Sequence, residues 1–325
     1  MQLNELNLLE FELSSKCNAA CPQCPRVDPL VFPDKSFLAT DNEISLQNVK
    51  DWIPKETLDS INVAKFMGSF SDPCIARDFF PIVEYLRKNT HAEIHVHTNG
   101  SLRKPEWWYE LGKIIGKRGY VMFGIDGLAD THSIYRINTS YEKVIENAKA
   151  FIAGGGRAIW QFIVFKHNQH QLEECRSLSQ ELGFDDFTVL GSNRFQDETS
   201  IQETSKGDIL ETSNVVEHVT VEKTWNKTDD LEIECLSDKV KWIMIDWNGN
   251  VFPCCFTMNW NRDIGDGSEF WQKEILKGNL KSNNLHHTPL KDILLHVEGL
   301  YQSIKNGQKF RVCKAQCSKC VDKTS

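Results

Sequence analysis

The sequence predicts an α/β protein: a partial parallel barrel followed by a small cysteine-rich region. Strand-like apolar runs alternate with amphipathic helical patterns over the first two thirds of the 325 residues. Such alternation produces βαβ units and a parallel sheet. Six strand-like runs are too few for a complete eight-stranded barrel, so we expect a partial, TIM-like (β/α)6 barrel. Nine of the 11 cysteines fall into two groups, one near the N-terminus and one after residue 234.

The predicted strands are short apolar runs that punctuate the first 190 residues. They are Leu8–Leu13, Ile61–Phe66, Ile94–Thr98, Tyr120–Ile125, Ile159–Phe165 and Phe187–Leu190. Apolar residues at helical spacing predict helices between them, two of which end at glycines. These helices are Asp78–Lys88, Pro105–Ile115, Tyr141–Ile152 and Gln171–Leu182.

Three cysteines follow the first predicted strand within eight residues. Cys17, Cys21 and Cys24 are separated by three and then two residues. Thiolate ligands of this kind select iron–sulfur clusters or zinc. A structural zinc site needs four ligands, yet the next cysteine or histidine is Cys74. Three thiolates on a four-iron cluster would leave one iron open to an outside ligand.

The Cys-x3-Cys-x2-Cys loop resembles the signature of the radical S-adenosylmethionine (SAM) enzymes. The resemblance implies that Cys17, Cys21 and Cys24 hold a [4Fe–4S] cluster whose open iron is chelated by SAM. Reductive cleavage of SAM then releases a 5′-deoxyadenosyl radical. The family usually has an aromatic residue before the third cysteine, near the adenine, whereas this chain has Gln23. A structural zinc knuckle is the alternative interpretation of the loop.

Polar segments follow the second to fifth predicted strands, at the strand ends where parallel barrels gather functional residues. Met67–Pro73 occupies the place of the family's glycine-rich motif, and Thr98–Gly100 is similar to its Thr-Asn-Gly. Asn-Gly and Asp-Gly are also ordinary turn dipeptides, but four such segments in succession favour a cofactor site. The resemblance implies SAM contacts from Gly68, Ser69, Asp72, Thr98, Asn99, Asp126 and Asn168.

The segment Asp126–Arg136 resembles one found in family members that have a cysteine-rich C-terminal domain. The resemblance implies that His132 and Arg136 contact the SAM carboxylate or the substrate. The alternative, which we favour from the sequence, is that they cap and solvate the following helix. Tyr135, Cys255, His167 and Glu12 are further candidates for a catalytic role, and the sequence does not select among them.

The chain divides at a polar stretch with little periodicity. We expect a barrel over 1–195, a polar linker over 196–234 and a cysteine-rich domain over 235–325. In the last part, apolar residues flank Asn248-Gly249, which predicts a β-hairpin that returns Cys254 towards Cys235. A helix completes the domain.

This C-terminal region resembles the SPASM or shorter twitch extension of radical SAM enzymes, including its Gly-x4-Cys element (Gly249 to Cys254). The resemblance implies an auxiliary [4Fe–4S] cluster. A full SPASM domain has at least seven cysteines for two clusters, and six are present here, so we expect one. Its expected ligands are Cys235, Cys254, Cys317 and Cys320, with Cys313 in reserve.

The remaining cysteines have simpler interpretations. Cys255 is adjacent to Cys254 and is expected to point away from the same metal. Cys74 and Cys175 are expected to pack as small buried hydrophobic residues. Because spacing does not distinguish zinc from iron, a zinc ribbon on the C-terminal thiolates stays an alternative.

Composition limits the classes of partner. The net charge of −8 provides no basic field for nucleic acid, although a C-terminal set of lysines keeps a nucleic-acid-modifying enzyme as an alternative. That set comprises Lys273, Lys277, Lys281, Lys305, Lys309, Lys314 and Lys319. There is no apolar run of ~20 residues and no signal peptide, so we expect a cytoplasmic protein without a membrane partner. The cysteine content fits metal or redox chemistry rather than disulfides.

The resemblance implies an enzyme that receives an electron from a flavodoxin or ferredoxin, cleaves SAM and abstracts a hydrogen atom from its substrate. Relatives with this extension mostly modify peptides or proteins by crosslinking, oxidation or epimerisation, so a peptide is the expected substrate. The barrel starts close to Met1, so we expect no preceding leader-binding domain. Alternatives are a small molecule, sugar or nucleic acid as substrate, and a non-catalytic iron–sulfur or zinc protein.

Overall fold

A parallel sheet forms the frame of the computed structural model. The structure describes residues 1–28, 38, 40–192, 194, 195, 197, 199–216, 232–255, 257, 258, 273, 275–308, 310, 313 and 317–319. The strands are β1 Leu8–Phe11, β2 Val63–Phe66, β3 Glu93–Thr98, β4 Gly119–Gly124, β5 Ala158–Val164, β6 Asp186–Gly191, β7 Ile201–Glu203, β8 Ile209–Glu211, β9 Glu232–Ile233, β10 Trp242–Ile245, β11 Val251–Phe252 and β12 Ser318–Lys319. Eight of them form one sheet in the order β11-β10-β1-β2-β3-β4-β5-β6. β10 and β1 to β6 are parallel, and β11 is antiparallel.

Helices connect the parallel strands. They are α1 Leu46–Trp52, α2 Lys55–Ser60, α3 Phe79–Asn89, α4 Pro105–Ile115, α5 His132–Tyr135, α6 Tyr141–Ala153, α7 Leu172–Glu181, α8 Leu236–Val240 and α9 Leu290–Lys305. Short 3-10 helices cover Leu3–Glu5, Pro73–Ile75, Gln169–Gln171 and Leu280–Asn283. The predicted α/β fold is confirmed, and the six predicted strands lie within two residues of the observed bounds. The short helices α1 and α2 were not predicted, because six or seven residues show too little periodicity.

The two faces of the sheet differ in polarity because strand residues alternate sides. Leu9, Phe11, Phe66 and Phe123 are fully buried in the core cluster that also includes apolar residues of α3, α4 and α6. Polar residues occupy the alternate positions, where Glu10 pairs in register with Lys65, and Lys65 with His95. We call this polar side the inner face of the partial barrel.

The predicted C-terminal hairpin is present as β10 and β11, with Gly249 at φ +80° in the turn. It does not stand apart from the barrel, because β10 pairs in parallel with β1 from Leu8↔Trp242 to Phe11↔Ile245. All four residues of β10 are buried, as expected for a parallel strand covered on both faces. The C-terminal helix α9 contributes to the same apolar core, and the N-terminal ammonium of Met1 donates to Glu298 at 3.0 Å. The predicted six-stranded barrel sheet thus becomes an eight-stranded one.

Two small sheets complete the described structure. Within the segment predicted as a polar linker, β7 and β8 form an antiparallel hairpin, and β9 pairs with β12 further on. Leu210 of β8 is buried beside the cysteine loop, in a cluster with Cys21 and Tyr135. None of the described helices is long and apolar enough to cross a membrane.

Candidate active site

The three cysteines that follow β1 line one cavity of about 180 Å³. The loop turns tightly, because the Cys24 N–H donates to the Cys21 carbonyl at 2.9 Å and the Val27 N–H donates to the Cys24 carbonyl at 2.8 Å. Other residues lining this first cavity lie in or just after β2 to β5, and one follows helix α5; they include Gly68, Asp72, His97, Thr98, Asn99, Gly124, Gln161 and, after α5, Arg136. The loop and the strand ends thus meet at one site, as a parallel barrel predicts.

In the absence of a cluster, burial favours the protonated form of the Cys17 and Cys21 thiols. Burial raises the pKa of Cys17 well above its usual range, and Asp72 adds to that effect. Burial also raises the pKa of Cys21 to about 11, while the nearby Arg136 guanidinium opposes the rise. Because thiolates are the ligands, cluster binding must release protons from these residues.

The residues present fit a four-iron cluster rather than one metal ion. In the part of the chain that the structure describes, no three His, Cys, Asp or Glu side chains are arranged around a single ion. A cluster distributes its thiolate ligands over separate iron atoms, so the thiols need only share a cavity, as Cys17, Cys21 and Cys24 do. The cavity extends beyond them to the Gly68 loop and the β3 end, which leaves room for a further ligand.

A buried carboxylate shapes the loop after β2. Glu12 accepts hydrogen bonds from the backbone N–H groups of Ser69 (2.8 Å), Phe70 (3.1 Å) and Ser71 (2.9 Å), and from the Ser71 hydroxyl (2.6 Å). Burial raises the pKa of Glu12 to about 7, against these hydrogen bonds. At Gly68 a Cβ atom would lie 2.2 Å from the Ser71 carbonyl oxygen, so this turn requires glycine. Glu12 therefore positions the predicted SAM-binding loop.

Asp72 joins the β2 loop to the end of β3. Its carboxylate accepts from the Thr98 hydroxyl (2.8 Å), the Asn99 N–H (2.8 Å) and the Cys74 N–H (3.0 Å). The Asn99 carboxamide in turn lies 3.8 Å from the Cys17 sulfur. Asp72, Thr98 and Asn99 all line the first cavity, while their mutual hydrogen bonds fix the position of the strand end.

Asp126 and Asn168, two of the expected SAM contacts, lie just after β4 and β5. Both are fully buried, and neither is among the residues lining the first cavity. Asp126 accepts from Arg136 Nε at 2.6 Å and from the Ile163 N–H at 2.7 Å. Asn168 donates to the carbonyls of Asp126 and Ile163 and accepts from the Phe165 N–H. Their polar atoms are engaged inside the protein and connect β4 with β5, and their expected contact with SAM stays a prediction.

His132 and Arg136 point inwards, so the favoured sequence interpretation of a solvated helix cap is wrong. The His132 ring accepts from the Asp126 N–H at 3.2 Å, and its other nitrogen lies 2.9 Å from the Thr139 hydroxyl. Burial lowers the pKa of His132 to about 3, so the ring is neutral. Arg136 lines the first cavity.

Gln23, the departure from the family pattern, is tied to the end of β6. It is fully buried, its carboxamide oxygen accepts from the Ser192 hydroxyl at 2.6 Å, and Arg194 donates to its carbonyl. Tyr135 packs on Phe165 beside the cysteine loop, with ring centroids 4.7 Å apart. Neither Gln23 nor Tyr135 lines the first cavity.

A second cavity, of about 50 Å³, collects the C-terminal cysteines. Cys235, Cys254, Cys313 and Cys317 line it together with Trp242, Tyr301 and other largely apolar residues. Burial raises the pKa of Cys235. The reserve residue Cys313 thus lies with three of the four expected ligands, while Cys320 lies outside the described residues. Cys255 does not line this cavity. Cys74 and Cys175 are fully buried, as predicted.

Between the two cavities, the inner face carries polar groups that no motif indicated. Glu10 is 1% exposed, and neither carboxylate oxygen has a hydrogen-bond partner among the described residues; Lys65 Nζ lies 4.0 Å away. His97 Nε2 and Trp242 Nε1 are also buried and have no hydrogen-bond partner among the described residues. Lys65 acts electrostatically on His97, which lines the first cavity, and on Cys255, next to Cys254 of the second.

These inner-face residues keep unused hydrogen-bonding capacity within the part of the chain that the structure describes. Native structures rarely leave buried polar atoms without a hydrogen bond, and Glu10 could accept one while Trp242 could donate one. The sequence does carry a signal for them: a charged residue alternates with buried apolar neighbours in both β1 and β2. Read alone, that alternation also fits an ordinary solvent-facing strand.

Comparisons with known proteins were made at the level of family, sequence and structure. The family model described as the Radical SAM superfamily matches residues 11–177, just over half of the chain. A model described as an iron–sulfur cluster-binding domain, SPASM, matches residues 235–321. Among curated proteins no match is found.

Several solved structures share the fold. Streptococcus suis SuiB bound to S-adenosylmethionine has a TM-score of 0.55 at 17% identity, covering 85% of this chain and 68% of that one. SuiB bound to the precursor peptide SuiA has a TM-score of 0.51 at 15% identity, covering 79% and 61%. Native anSMEcpe with bound AdoMet and Kp18Cys peptide has a TM-score of 0.55 at 16% identity, covering 96% and 89%.

Proposed function

The chain belongs to the Radical SAM superfamily, and from that premise we propose that it modifies a peptide or protein substrate by hydrogen-atom abstraction. Its cofactors are a [4Fe–4S] cluster, SAM and auxiliary iron–sulfur binding in the SPASM region, as predicted. Superfamily membership indicates an enzyme, which replaces the alternative of a non-catalytic metal protein.

The observation that carries the peptide proposal is the kind of molecule bound by proteins of the same fold. One SuiB structure holds the precursor peptide SuiA, and one anSMEcpe structure holds the Kp18Cys peptide. The anSMEcpe likeness extends over 96% of this chain and 89% of that one. A peptide is therefore the substrate class best supported for this protein.

The inner face offers the groups that a peptide needs. A backbone amide presents one N–H donor and one carbonyl acceptor. The Glu10 carboxylate, which has no hydrogen-bond partner among the described residues, can accept from such an N–H, and Lys65 or the Trp242 indole can donate to the carbonyl. Because these residues lie between the two cavities, a peptide bound there would be close both to the SAM site in the first cavity and to the auxiliary cluster in the second.

When bound, the cofactors supply a 5′-deoxyadenosyl radical in the first cavity and an electron acceptor in the second. Cys17, Cys21 and Cys24 would hold the first cluster, and Glu12 would shape the Gly68–Ser71 loop around SAM. Cys235, Cys254, Cys313 and Cys317 would hold one auxiliary cluster, with Cys320 as the alternate ligand. A flavodoxin or ferredoxin would deliver the electron.

The test uses anaerobically reconstituted enzyme with SAM and dithionite. Peptide and small-molecule fractions of a cell extract are added separately, and 5′-deoxyadenosine is followed by chromatography. We expect the peptide fraction alone to accelerate its formation and one peptide to change in mass or, in D2O, to gain deuterium. Glu10→Gln should lose this acceleration but keep the substrate-free rate, whereas the exposed Glu181→Gln should behave as wild type. Acceleration by the small-molecule fraction alone would overturn the peptide proposal.

A further inference from the structure

Arg136 is a buried cation at the wall of the first cavity that the proposed chemistry leaves without a task. Its side chain is 15% exposed and pairs with the fully buried Asp126 through Nε at 2.6 Å. Arg136 and Cys21 line the same cavity, and the positive charge of the guanidinium lowers the pKa of the Cys21 thiol against the effect of burial. Asp126, Arg136 and Cys21 therefore form a chain from carboxylate to cation to thiol.

The surrounding structure fixes the guanidinium in this place. At Gly124 a Cβ atom would lie 2.7 Å from Arg136 Nη2 and 2.9 Å from Cζ, so the guanidinium packs directly on the end of β4. Tyr135 covers it with its ring, whose centroid lies 5.4 Å from the Arg136 Cζ. A cation held against a glycine, a carboxylate and an aromatic ring has little freedom to move.

The short helix α5 is attached to β4 through a separate contact. Neutral His132 accepts from the Asp126 N–H, and the Arg136 N–H donates to the His132 carbonyl at 3.0 Å. The Ile163 N–H holds the other oxygen of the Asp126 carboxylate at 2.7 Å. The Ile163 N–H thus fixes the orientation of the Asp126 carboxylate, and that carboxylate orients the Arg136 guanidinium towards the cysteine loop.

We propose that Arg136, oriented by Asp126, sets the reduction potential of the cluster held by Cys17, Cys21 and Cys24. This inference rests on the ligand set given under the proposed function. Net charge and hydrogen bonds to the sulfurs are principal determinants of cluster potentials, and outer groups tune a metal centre through its ligands. A cation beside Cys21 stabilises the reduced, more negative cluster and raises its potential. Arg136 is thus a positioning residue that eases reduction by the electron donor.

The experiment is a redox titration of the reconstituted full-length protein, followed by the EPR signal of the reduced cluster. The signal of the second cluster is subtracted with Cys17/Cys21/Cys24→Ala protein. At the wild-type midpoint, Arg136→Gln should show an about tenfold lower ratio of reduced to oxidised cluster, equivalent to about 59 mV for one electron. Arg136→Lys should stay closer to wild type, because it keeps the charge.

Gly124→Ala provides a second variant that keeps every charge. The added methyl group displaces the guanidinium, so the potential should shift in the same direction as in Arg136→Gln but by less. If Arg136→Gln does not fold, the reduction potential of Gly124→Ala tests the role of Arg136 instead. Arg87→Gln is the matched control, because Arg87 donates to the carbonyls of Ile114 and Arg118, away from the cavity.

The outcomes separate this inference from the proposed function. Intact clusters with unchanged midpoints in Arg136→Gln and Gly124→Ala, or equal shifts in Arg87→Gln, would overturn the tuning role and leave the enzyme proposal in place. A wild-type protein that forms no cluster on Cys17, Cys21 and Cys24 would instead overturn the proposed function.

Discussion

Glu10 of β1 and Glu12, which directly follows that strand, have different roles because their surroundings differ. Glu12 accepts from three backbone N–H groups and one hydroxyl, so its carboxylate is part of the loop that it shapes. Glu10, two residues earlier, has no hydrogen-bond partner among the described residues and is paired only loosely with Lys65 at 4.0 Å. Glu12 therefore belongs to the scaffold of the loop after β2, whereas Glu10 keeps unused hydrogen-bonding capacity among the described residues.

Replacement of Glu12 by Gln should weaken SAM binding without loss of iron. A carboxamide has only one acceptor oxygen, so the backbone N–H groups of Ser69, Phe70 and Ser71 cannot all keep their partner. Hydrogen bonds to charged groups contribute about 1.5–3 kcal/mol each, so we expect SAM affinity to fall at least about tenfold. Anaerobic equilibrium dialysis measures the affinity. Glu10→Gln is the matched control, and equal losses in both variants would refute the distinction drawn here.

Replacement of Glu10 by Gln should stabilise the protein at high pH. Burial raises the pKa of Glu10 from 4.5 to about 7, against the opposing charge of Lys65. The protonated form is thus favoured in the folded state. Its stabilising contribution is fully present below pH 4.5 and is lost as pH rises through about 7. The shift corresponds to a penalty on the order of 3 kcal/mol above that range.

The measurement is the free energy of unfolding by denaturant at pH 5 and pH 8. Glu10→Gln should exceed wild type at pH 8 and approach it at pH 5. Lys65, Glu12 and Cys255 are the other titratable groups around Glu10, and all are retained. The exposed Glu181→Gln should show no such dependence, and a gain of equal size at both pH values would count against a buried ionised Glu10.

At the scale of elements, the hairpin β10–β11 brings Cys254 to the second cavity and carries Cys255 past it. Cys254 lines the cavity with Cys235, Cys313 and Cys317, whereas Cys255 lies towards Glu10 and Lys65. Two adjacent cysteines thus point to different places. Both cysteines follow β11 in a bend and turn, in which the Thr257 N–H donates to the Cys254 carbonyl at 3.2 Å.

Cys313→Ala should lose the auxiliary cluster, and Cys255→Ala should keep it. With four irons per cluster, we expect about four irons per chain in the first variant and about eight in the second. Iron and sulfide analysis after anaerobic reconstitution measures both. If Cys255→Ala loses iron and Cys313→Ala does not, the ligand assignment is wrong.

The sequence predicted an element correctly where nearby residues in the chain determine its structure. The cysteine loop, the Asn248-Gly249 hairpin and the glycine-terminated helix α6 carry their own turn and spacing signals. The inward orientation of His132 and Arg136 could not be predicted, because it depends on Asp126 across a gap of six to ten residues. From the sequence alone, His132 and Arg136 fit a solvent-exposed helix cap, because only the fold brings the buried Asp126 carboxylate next to them.

At the scale of the whole molecule, β1 connects the two cysteine-rich parts. It pairs with β2 on one side and with β10 on the other, and the loop after it carries Cys17, Cys21 and Cys24. The pattern of six strands predicted the barrel, and the resemblance of the cysteine loop to the radical SAM signature implied its cofactors. The pairing of β10 with β1 joins residues more than 230 positions apart, and no local pattern specifies so distant a contact.

Truncation after residue 216 should therefore give an aggregating protein. Removal of β10 exposes the backbone edge of β1, and unpaired edges promote association. It also uncovers part of the apolar core that α9 contributes. Truncation after residue 308 is the control, because it removes Cys313, Cys317 and Cys320 but keeps β10 and α9. Size-exclusion chromatography should show aggregates for the 1–216 fragment and none for the control; a soluble 1–216 fragment free of aggregates would contradict the continuous core.

The central claim is that Cys17, Cys21 and Cys24 hold the cluster that cleaves SAM, while the C-terminal cysteines hold another. The measurement is iron per chain together with 5′-deoxyadenosine formed with SAM and dithionite, in wild type and in the Cys17/Cys21/Cys24→Ala variant. We predict about eight irons in wild type, about four in the variant, and deoxyadenosine from wild type alone. Zinc in place of iron in wild type, or deoxyadenosine from the triple variant, would contradict the account.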